Sequence, residues 1–328
     1  MKAMIYTQYG SPDNLRLADV PKPTPKAGEV LVSIRATSAN SADVRMLHGK
    51  PFMIRLAGHG LFRPKRTILG GDIAGRVEAV GSGVTQFKPG DAVYGDTSNH
   101  GMGCFAEYVA APEITLAPMP TTLSFEEAAA IPLAGITALQ ALRDKGQVRA
   151  GERVAINGAS GGVGTFAVQI AHAMGAEVTA IASAGKLDML RGLGAAEVID
   201  YAREDFTEQA GQYDVILGIN GYHPLAHYAR ALKPGGRYVM VGGTDAQLFE
   251  AMLRAPLMPK RDGKSLGILV GKVTPADLRA LAALIDSGKI KPVIERCYPL
   301  AEVAEALRYI EAGHAHGKVV ISVQADGG

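Results

Sequence analysis

The stretch Ile156-Asn157-Gly158-Ala159-Ser160-Gly161-Gly162-Val163-Gly164 decides the fold. An apolar run, Val154–Asn157, leads into it, and an amphipathic run leaves it with Val163, Ala167, Ile170, Ala171 and Met174 at helical spacing before Gly175. A strand that hands over to a helix through glycines is the context a dinucleotide pyrophosphate requires. Gly161 lets the backbone approach the phosphates, and Gly164 lets the helix pack closely on the strand. The free N–H groups and positive dipole end of the helix then face the anion. Ser160, Gly161, Gly162, Val163 and Gly164 are therefore the expected phosphate contacts. Ala159 stands where the first glycine of G-x-G-x-x-G would be.

Working outward, strand-like runs alternate with helical ones. Val154–Asn157, Glu177–Ala182, Glu197–Asp200, Asp214–Ile219, Tyr238–Val241 and Leu266–Val270 are the strands, with helices at Val163–Met174, Lys186–Leu193 and Leu225–Leu232. That alternation predicts an α/β, doubly wound, parallel six-stranded sheet. The first 120 or so residues read differently. Short β-branched runs such as Val30–Ile34 and Ile73–Val80 are broken by Pro21, Pro23, Pro25, Gly81-Ser82-Gly83 and Pro89-Gly90, which predicts a mostly antiparallel β-domain. The segment Phe52–Arg66 breaks that rhythm and reads as a solvated loop or lid. Ser124 and Glu127 form a capping box that opens an Ala-rich helix. The expected division is 124–288 for the nucleotide domain, with 1–123 and 289–328 making the other, to which the last strand, Lys318–Val323, returns after the helix Pro275–Ser287.

Composition limits the function. The 328 residues hold 34 Lys plus Arg against 32 Asp plus Glu, so no broad basic surface for nucleic acid is expected. Two cysteines, Cys104 and Cys297, cannot build a disulfide framework or a four-thiolate zinc site. The start MKAMIYTQYG lacks the charged and apolar regions of a signal peptide, and no apolar run reaches the length of a membrane span. A cytoplasmic location without membrane partners is the expectation.

The end of the second strand selects the cofactor. An NAD site needs an acid there to hold the ribose 2′-OH. Here Ser183 stands 19 residues past Gly164, followed by Lys186. A hydroxyl and an ammonium suit a 2′-phosphate that a carboxylate would repel, so NADP(H) is expected, with Ser183 and Lys186 as readers and Tyr201 flanking the adenosine ribose.

Beyond this turn, Leu69-Gly70-Gly71-Asp72-Ile73-Ala74-Gly75, Val80-Gly81-Ser82-Gly83-Val84, Phe87-Lys88-Pro89-Gly90-Asp91-Ala92-Val93-Tyr94-Gly95 and Phe105-Ala106-Glu107-Tyr108-Val109 form a recognisable set. With it the chain resembles the medium-chain dehydrogenase/reductase superfamily, and Ile156–Gly164 looks most like the zinc-independent quinone oxidoreductase branch. The resemblance implies a split GroES-like catalytic domain around a Rossmann domain. Zinc-dependent members place Cys where Asn40 stands and His-Glu where Gly71-Asp72 stand, so no metal site is expected. Without a Lewis acid to lower an alcohol's pKa, the implied reaction is hydride transfer from NADPH to a quinone. The alternative on the same scaffold is an enone or enoyl double-bond reductase. A zinc alcohol dehydrogenase and a non-catalytic NADPH-binding sensor or RNA-binding protein are the rivals of other kinds.

The resemblance also implies that Asn40–Gly49 lines the substrate cleft. Asn40 would donate to the nicotinamide or acceptor oxygen, Asp43 would orient Arg45 or the ribose, and Arg45 and His48 would donate to a developing oxyanion. The family often carries Tyr in place of Arg45 and Arg where Leu47 stands. Thr137 and Gly242-Gly243 are implied neighbours of the nicotinamide, and Lys318 would reach a cofactor phosphate. A homodimer through the edge strand Leu266–Val270 is the expected assembly.

Overall fold

The computed structural model describes residues 1–221, 223–243, 247, 261–313 and 315–323. The chain folds into two units, Met1–Leu133 with Lys272–Asp286 and Pro292–Gly328, and Ala134–Gly271 with Ser287–Lys291. The first unit begins with an antiparallel pair, β1 (Lys2–Ile5) and β2 (Arg16–Asp19). Its main sheet comprises β3 (Glu29–Ala39), β4 (Asp72–Val80), β5 (Ala92–Asp96), β6 (Tyr108–Pro112) and β7 (Leu116–Pro118), joined by β14 (Ile294–Pro299) and β15 (Lys318–Ser322). The order is β14-β15-β3-β4-β5-β7, with β6 also on β3, and only β14 and β15 pair in parallel.

Strand β3 organises this unit through one face: Val30, Val32 and Ile34, two residues apart, are fully buried against Ile73, Val77, Val93 and Leu116, and Leu31 on the other face is buried too. Helix α1 (Ser41–His48) follows β3 directly. Helices α2 (Phe125–Ala129) and α3 (Pro132–Gln140) come after β7, and α2 opens with the expected Ser124–Glu127 capping box.

The second unit holds β8 (Arg153–Asn157), β9 (Glu177–Ala182), β10 (Glu197–Asp200), β11 (Tyr213–Gly218), β12 (Leu232–Met240) and β13 (Ser265–Ile268), all parallel, in the order β10-β9-β8-β11-β12-β13. Its helices are α4 (Gly162–Ala173), α5 (Leu187–Gly192) and α6 (Leu225–Ala231). The central strand explains its own composition: Val154, Ala155 and Ile156 are all fully buried, so the apolar run is uninterrupted. The strand order reverses between β8 and β11, the switch point at which such sheets bind ligands.

The division between units differs from the expected one. It falls inside α3, and helix α7 (Pro275–Asp286) belongs to the first unit. There the buried Tyr94 hydroxyl donates to Leu278 O at 2.5 Å, a partnership 184 residues apart in the chain that no local pattern announces. Helix α8 (Val303–Glu311) completes the unit and buries Val303, Ala306 and Leu307. The segment Phe52–Arg66 is not a strand, as expected. Its one regular turn, Arg55–His59, is a π-type turn, and the Tyr9 hydroxyl donates to Gly60 O at 2.7 Å.

Candidate active site

The second unit gathers the expected nucleotide contacts at the carboxyl ends of its parallel strands. Gly158 has φ +87°, and a Cβ there would meet Asn220 N at 2.7 Å. A Cβ on Gly164 would meet Gly158 O at 2.3 Å and Ala159 O at 2.5 Å, so α4 rests directly on the turn. Gly161 is different: among the described residues its Cβ would find only Gly158 O, 3.8 Å away. Gly161 caps α4 without any side-chain hydrogen bond, which leaves first-turn N–H groups for an anion. A tight underside and an open upper face are what a pyrophosphate cradle needs, so the residues present fit a dinucleotide.

Neighbouring strand ends complete this edge. Asn157, the last residue of β8, accepts on its carbonyl from Ile219 N and Asn220 N at 3.0 and 3.2 Å, and its Nδ2 donates to the Tyr228 hydroxyl at 3.0 Å. Ser183 follows β9 and caps the turn Ala184–Lys186 without using its hydroxyl. Tyr201 follows β10, is 62 % exposed, and donates its N–H to Ala182 O at 3.2 Å. Register therefore puts Ser183 and Tyr201 on adjacent strand ends, with Asp200 opposite Ala182. No acid ends β9. Gly242 N donates to Gly218 O beyond the ends of β12 and β11, Gly243 follows it, and Thr137 lies half-buried on α3.

The first unit contains a buried polar cluster at the ends of β3, β4, β5 and β15. Asp72, fully buried, accepts on Oδ2 from Asn40 Nδ2 at 2.9 Å, from Lys318 Nζ at 3.2 Å and from the Ser38 hydroxyl, and on Oδ1 from Leu133 N at 2.7 Å. Lys318, 2 % exposed, also donates to Asn40 Oδ1 at 2.5 Å. A buried ion pair persists only when its remaining donors and acceptors are satisfied, and this one is tied into four segments. Beside it, burial and then the Asp72 charge push the Asp96 carboxyl up to about 6.

This cluster places several of the expected site residues. The Lys318 ammonium engages Asp72 and Asn40. Asn40 does not offer a free N–H, because Nδ2 donates to both Ser38 O, at 3.2 Å, and Asp72. Its Oδ1 accepts from Lys318. Asp43 lies at the start of α1. It is 1 % exposed and accepts from Asn40 N at 2.8 Å and Gly70 N at 3.0 Å, fixing the start of α1, and burial pushes its carboxyl up to about 7. His48, at the far end of α1, sits 2.7 Å from Glu311 of α8 and joins two helices. Arg45 is half-buried between these two ends.

Sequence reasoning missed Asp72 as the hub, since its partner Lys318 is 246 positions away. A zinc ion does not suit this donor set. Asn40 and Gly71 supply no thiolate or imidazole, and the Lys318 ammonium already engages the Asp72 carboxylate. Cys104 is fully buried, 3.2 Å from the Thr97 hydroxyl, and burial pushes its thiol up.

Two family models match the chain: the alcohol dehydrogenase GroES-like domain over residues 26–121 and the zinc-binding dehydrogenase over residues 193–321. Among curated relatives, a 2-methylene-furan-3-one reductase of Solanum lycopersicum is 36 % identical, over 98 % of this chain and 79 % of the relative. A chloroplast envelope quinone oxidoreductase homolog of Arabidopsis thaliana is 33 % identical over 98 % of both chains. The solved quinone oxidoreductase of Coxiella burnetii superposes with a TM-score of 0.88 at 31 % identity, over 99 % of both chains. The split antiparallel unit, the six-stranded switch-point sheet and these full-length matches agree: the chain belongs to the medium-chain dehydrogenase/reductase superfamily, in its quinone-oxidoreductase-like branch.

Proposed function

We propose that this chain is an NADPH-dependent reductase that passes a hydride to quinones without zinc. The observation carrying the reading is the ammonium of Lys318 lodged between Asn40 Oδ1 and Asp72 Oδ2, positions where zinc-dependent relatives need metal ligands. Bound NADPH supplies the hydride. The Gly158–Gly164 turn holds its pyrophosphate, Ser183 and Lys186 read its 2′-phosphate, and Tyr201 flanks the adenosine ribose. Thr137 and Gly242-Gly243 bound the nicotinamide, and Asn40 anchors the Lys318 ammonium beside α1. Arg45 stabilises negative charge on the reduced oxygen, while Asp43 holds α1 in place. One hydride and one proton convert quinone to hydroquinone.

A second reading rests on the tomato relative, whose name describes reduction of an exocyclic methylene ketone: the acceptor is then an α,β-unsaturated carbonyl. Turnover of 1,4-quinones against alkyl enones, with NADPH and NADH compared and a chelator present, separates the two. Loss of turnover on metal removal would overturn the zinc-free mechanism. Among the described residues no helix is long and apolar enough to cross a membrane. The working assembly we infer is a cytoplasmic homodimer through the β13 edge, with no nucleic-acid partner; a monomeric mass by light scattering would reject the dimer.

A further inference from the structure

The sequence reading expects no metal, and the cluster around Asp72 does not suit one. A different set of side chains does. Asp205, in the turn after β10, and His223 and His227, at the start of α6, bring one ligand atom each to within 4.8 Å of one another. His223 Nε2 lies 3.8 Å from Asp205 Oδ1, too far for a hydrogen bond. Asp205 Oδ1 is pinned by Thr207 N at 2.8 Å and the Thr207 hydroxyl at 2.6 Å, the outer support that orients a ligating carboxylate. His227 Nδ1 is buried and has no hydrogen-bond partner among the described residues. A buried, unpaired ring nitrogen is costly, and a cation would satisfy it.

The rings are also held. His223 meets Phe206 edge-on at 5.5 Å and Tyr228 at 5.7 Å, so neither histidine is a freely swinging surface side chain.

We propose that Asp205, His223 and His227 bind a divalent late first-row cation, Zn²⁺ being the natural probe, with the open positions filled by water. Two imidazoles and a carboxylate are a suitable donor set for such ions. Ligand atoms around a tetrahedral zinc stand roughly 3.3 Å apart at bond lengths near 2.1 Å, so side-chain rotations of modest size close the site. The ion acts as a clip between the turn after β10 and α6. Its consequence reaches the nucleotide edge, since Tyr228 on α6 stacks on Tyr238 at 4.4 Å and accepts from Asn157 at the end of β8. This site is independent of the reductase reading and of the zinc-free cluster in the first unit.

The test uses the full chain, tag removed, stripped with chelator and titrated with Zn²⁺ by calorimetry and with Co²⁺ by visible absorption. One ion per chain, cobalt bands and a raised thermal midpoint are expected. His227→Gln and Asp205→Asn should each weaken Zn²⁺ binding by about 100-fold, while His100→Gln, at an exposed position, leaves it unchanged. Unaltered far-UV dichroism of the variants shows that folding is intact. Binding that survives the His223→Gln/His227→Gln double variant, or no cobalt bands in the unmodified chain, would overturn the proposal and leave Asp205 and His223 as a simple ion pair.

Discussion

Alanine at Gly161 and alanine at Gly164 should have opposite consequences, although the two glycines are three residues apart. At Gly164 the added Cβ falls 2.3 Å from Gly158 O and 2.5 Å from the carbonyl carbon and oxygen of Ala159. These are backbone atoms of the turn that α4 sits upon, and ordinary contact needs about 3.4 Å or more, so the helix must retreat by about 1 Å. Overpacking of this kind costs about 1–3 kcal/mol, or a fall of roughly 2–10 °C in thermal midpoint for a unit of this size. At Gly161 the nearest atom is 3.8 Å away, and the backbone is extended with φ −77° and ψ 177°. The methyl therefore costs about 1 kcal/mol or less in stability, mainly through the helix cap. It does fill the space over the turn, so NADPH binding should weaken by about 10- to 100-fold, equal to about 1.4–2.7 kcal/mol. The chain contains no tryptophan, so the assay is enhancement of bound NADPH fluorescence, run beside thermal melts. A Gly161→Ala protein that binds NADPH like the parent would refute the cradle, and an unshifted melt for Gly164→Ala would refute the packing argument.

Other expectations follow from the first unit and from the cofactor edge. Asp72→Ala strands the Lys318 ammonium, 2 % exposed, and should cost about 3–5 kcal/mol; Asp72→Asn/Lys318→Met should recover much of that in urea titrations, and a double variant no better than the single would sink the pairing. The Asp43 carboxyl is raised from its ordinary 3.8 to about 7. Its stabilising contribution is complete below the unfolded value and is lost as pH climbs through the folded one. Stability should therefore fall between about pH 4 and 7, and Asp43→Asn should flatten much of that fall, leaving a remainder from Asp96. Equal slopes for the two proteins would count against it. Ser183→Asp places a carboxylate at the end of β9 and should lower the NADPH-over-NADH preference by about 10-fold or more; an unchanged ratio of kcat/KM would remove Ser183 from the 2′-phosphate site.

The nucleotide-binding unit was largely legible because its signals are local. A buried parallel strand is an apolar run, the turn is spelled in glycines, and each strand–helix pair occupies consecutive residues, so the six strands could be read along the chain. The catalytic-side chemistry was legible in residue type but not in role. Asn40, Asp43 and Lys318 were singled out, yet Lys318 meets Asp72 only through β15 returning to β3, and that pairing links residues 246 apart. His48, expected to donate to an oxyanion, has Glu311 of α8 beside it at 2.7 Å, a partner the sequence does not announce. The domain edge differs for the same reason: the sequence reads Pro275–Ser287 as helical, and contacts distant in the chain, such as the Tyr94 hydroxyl on Leu278 O, decide which unit it packs upon. The His223-x-x-x-His227 spacing was present in the sequence, and what gave it meaning was Asp205 arriving from another turn.

The pairing of β15 with β3 also bears on how the protein is made. During synthesis the second unit has all of its residues outside the ribosome once position 291 emerges, whereas the first unit still waits for the strand that begins at Lys318. Until that strand arrives, Asp72 has no countercharge in its pocket and β3 has an open edge over Ala36–Ala39. The nucleotide-binding unit is thus free to fold first, as cotranslational order favours, and a chain truncated before Lys318 would carry an unpaired sheet edge of the kind that chaperones and proteases engage.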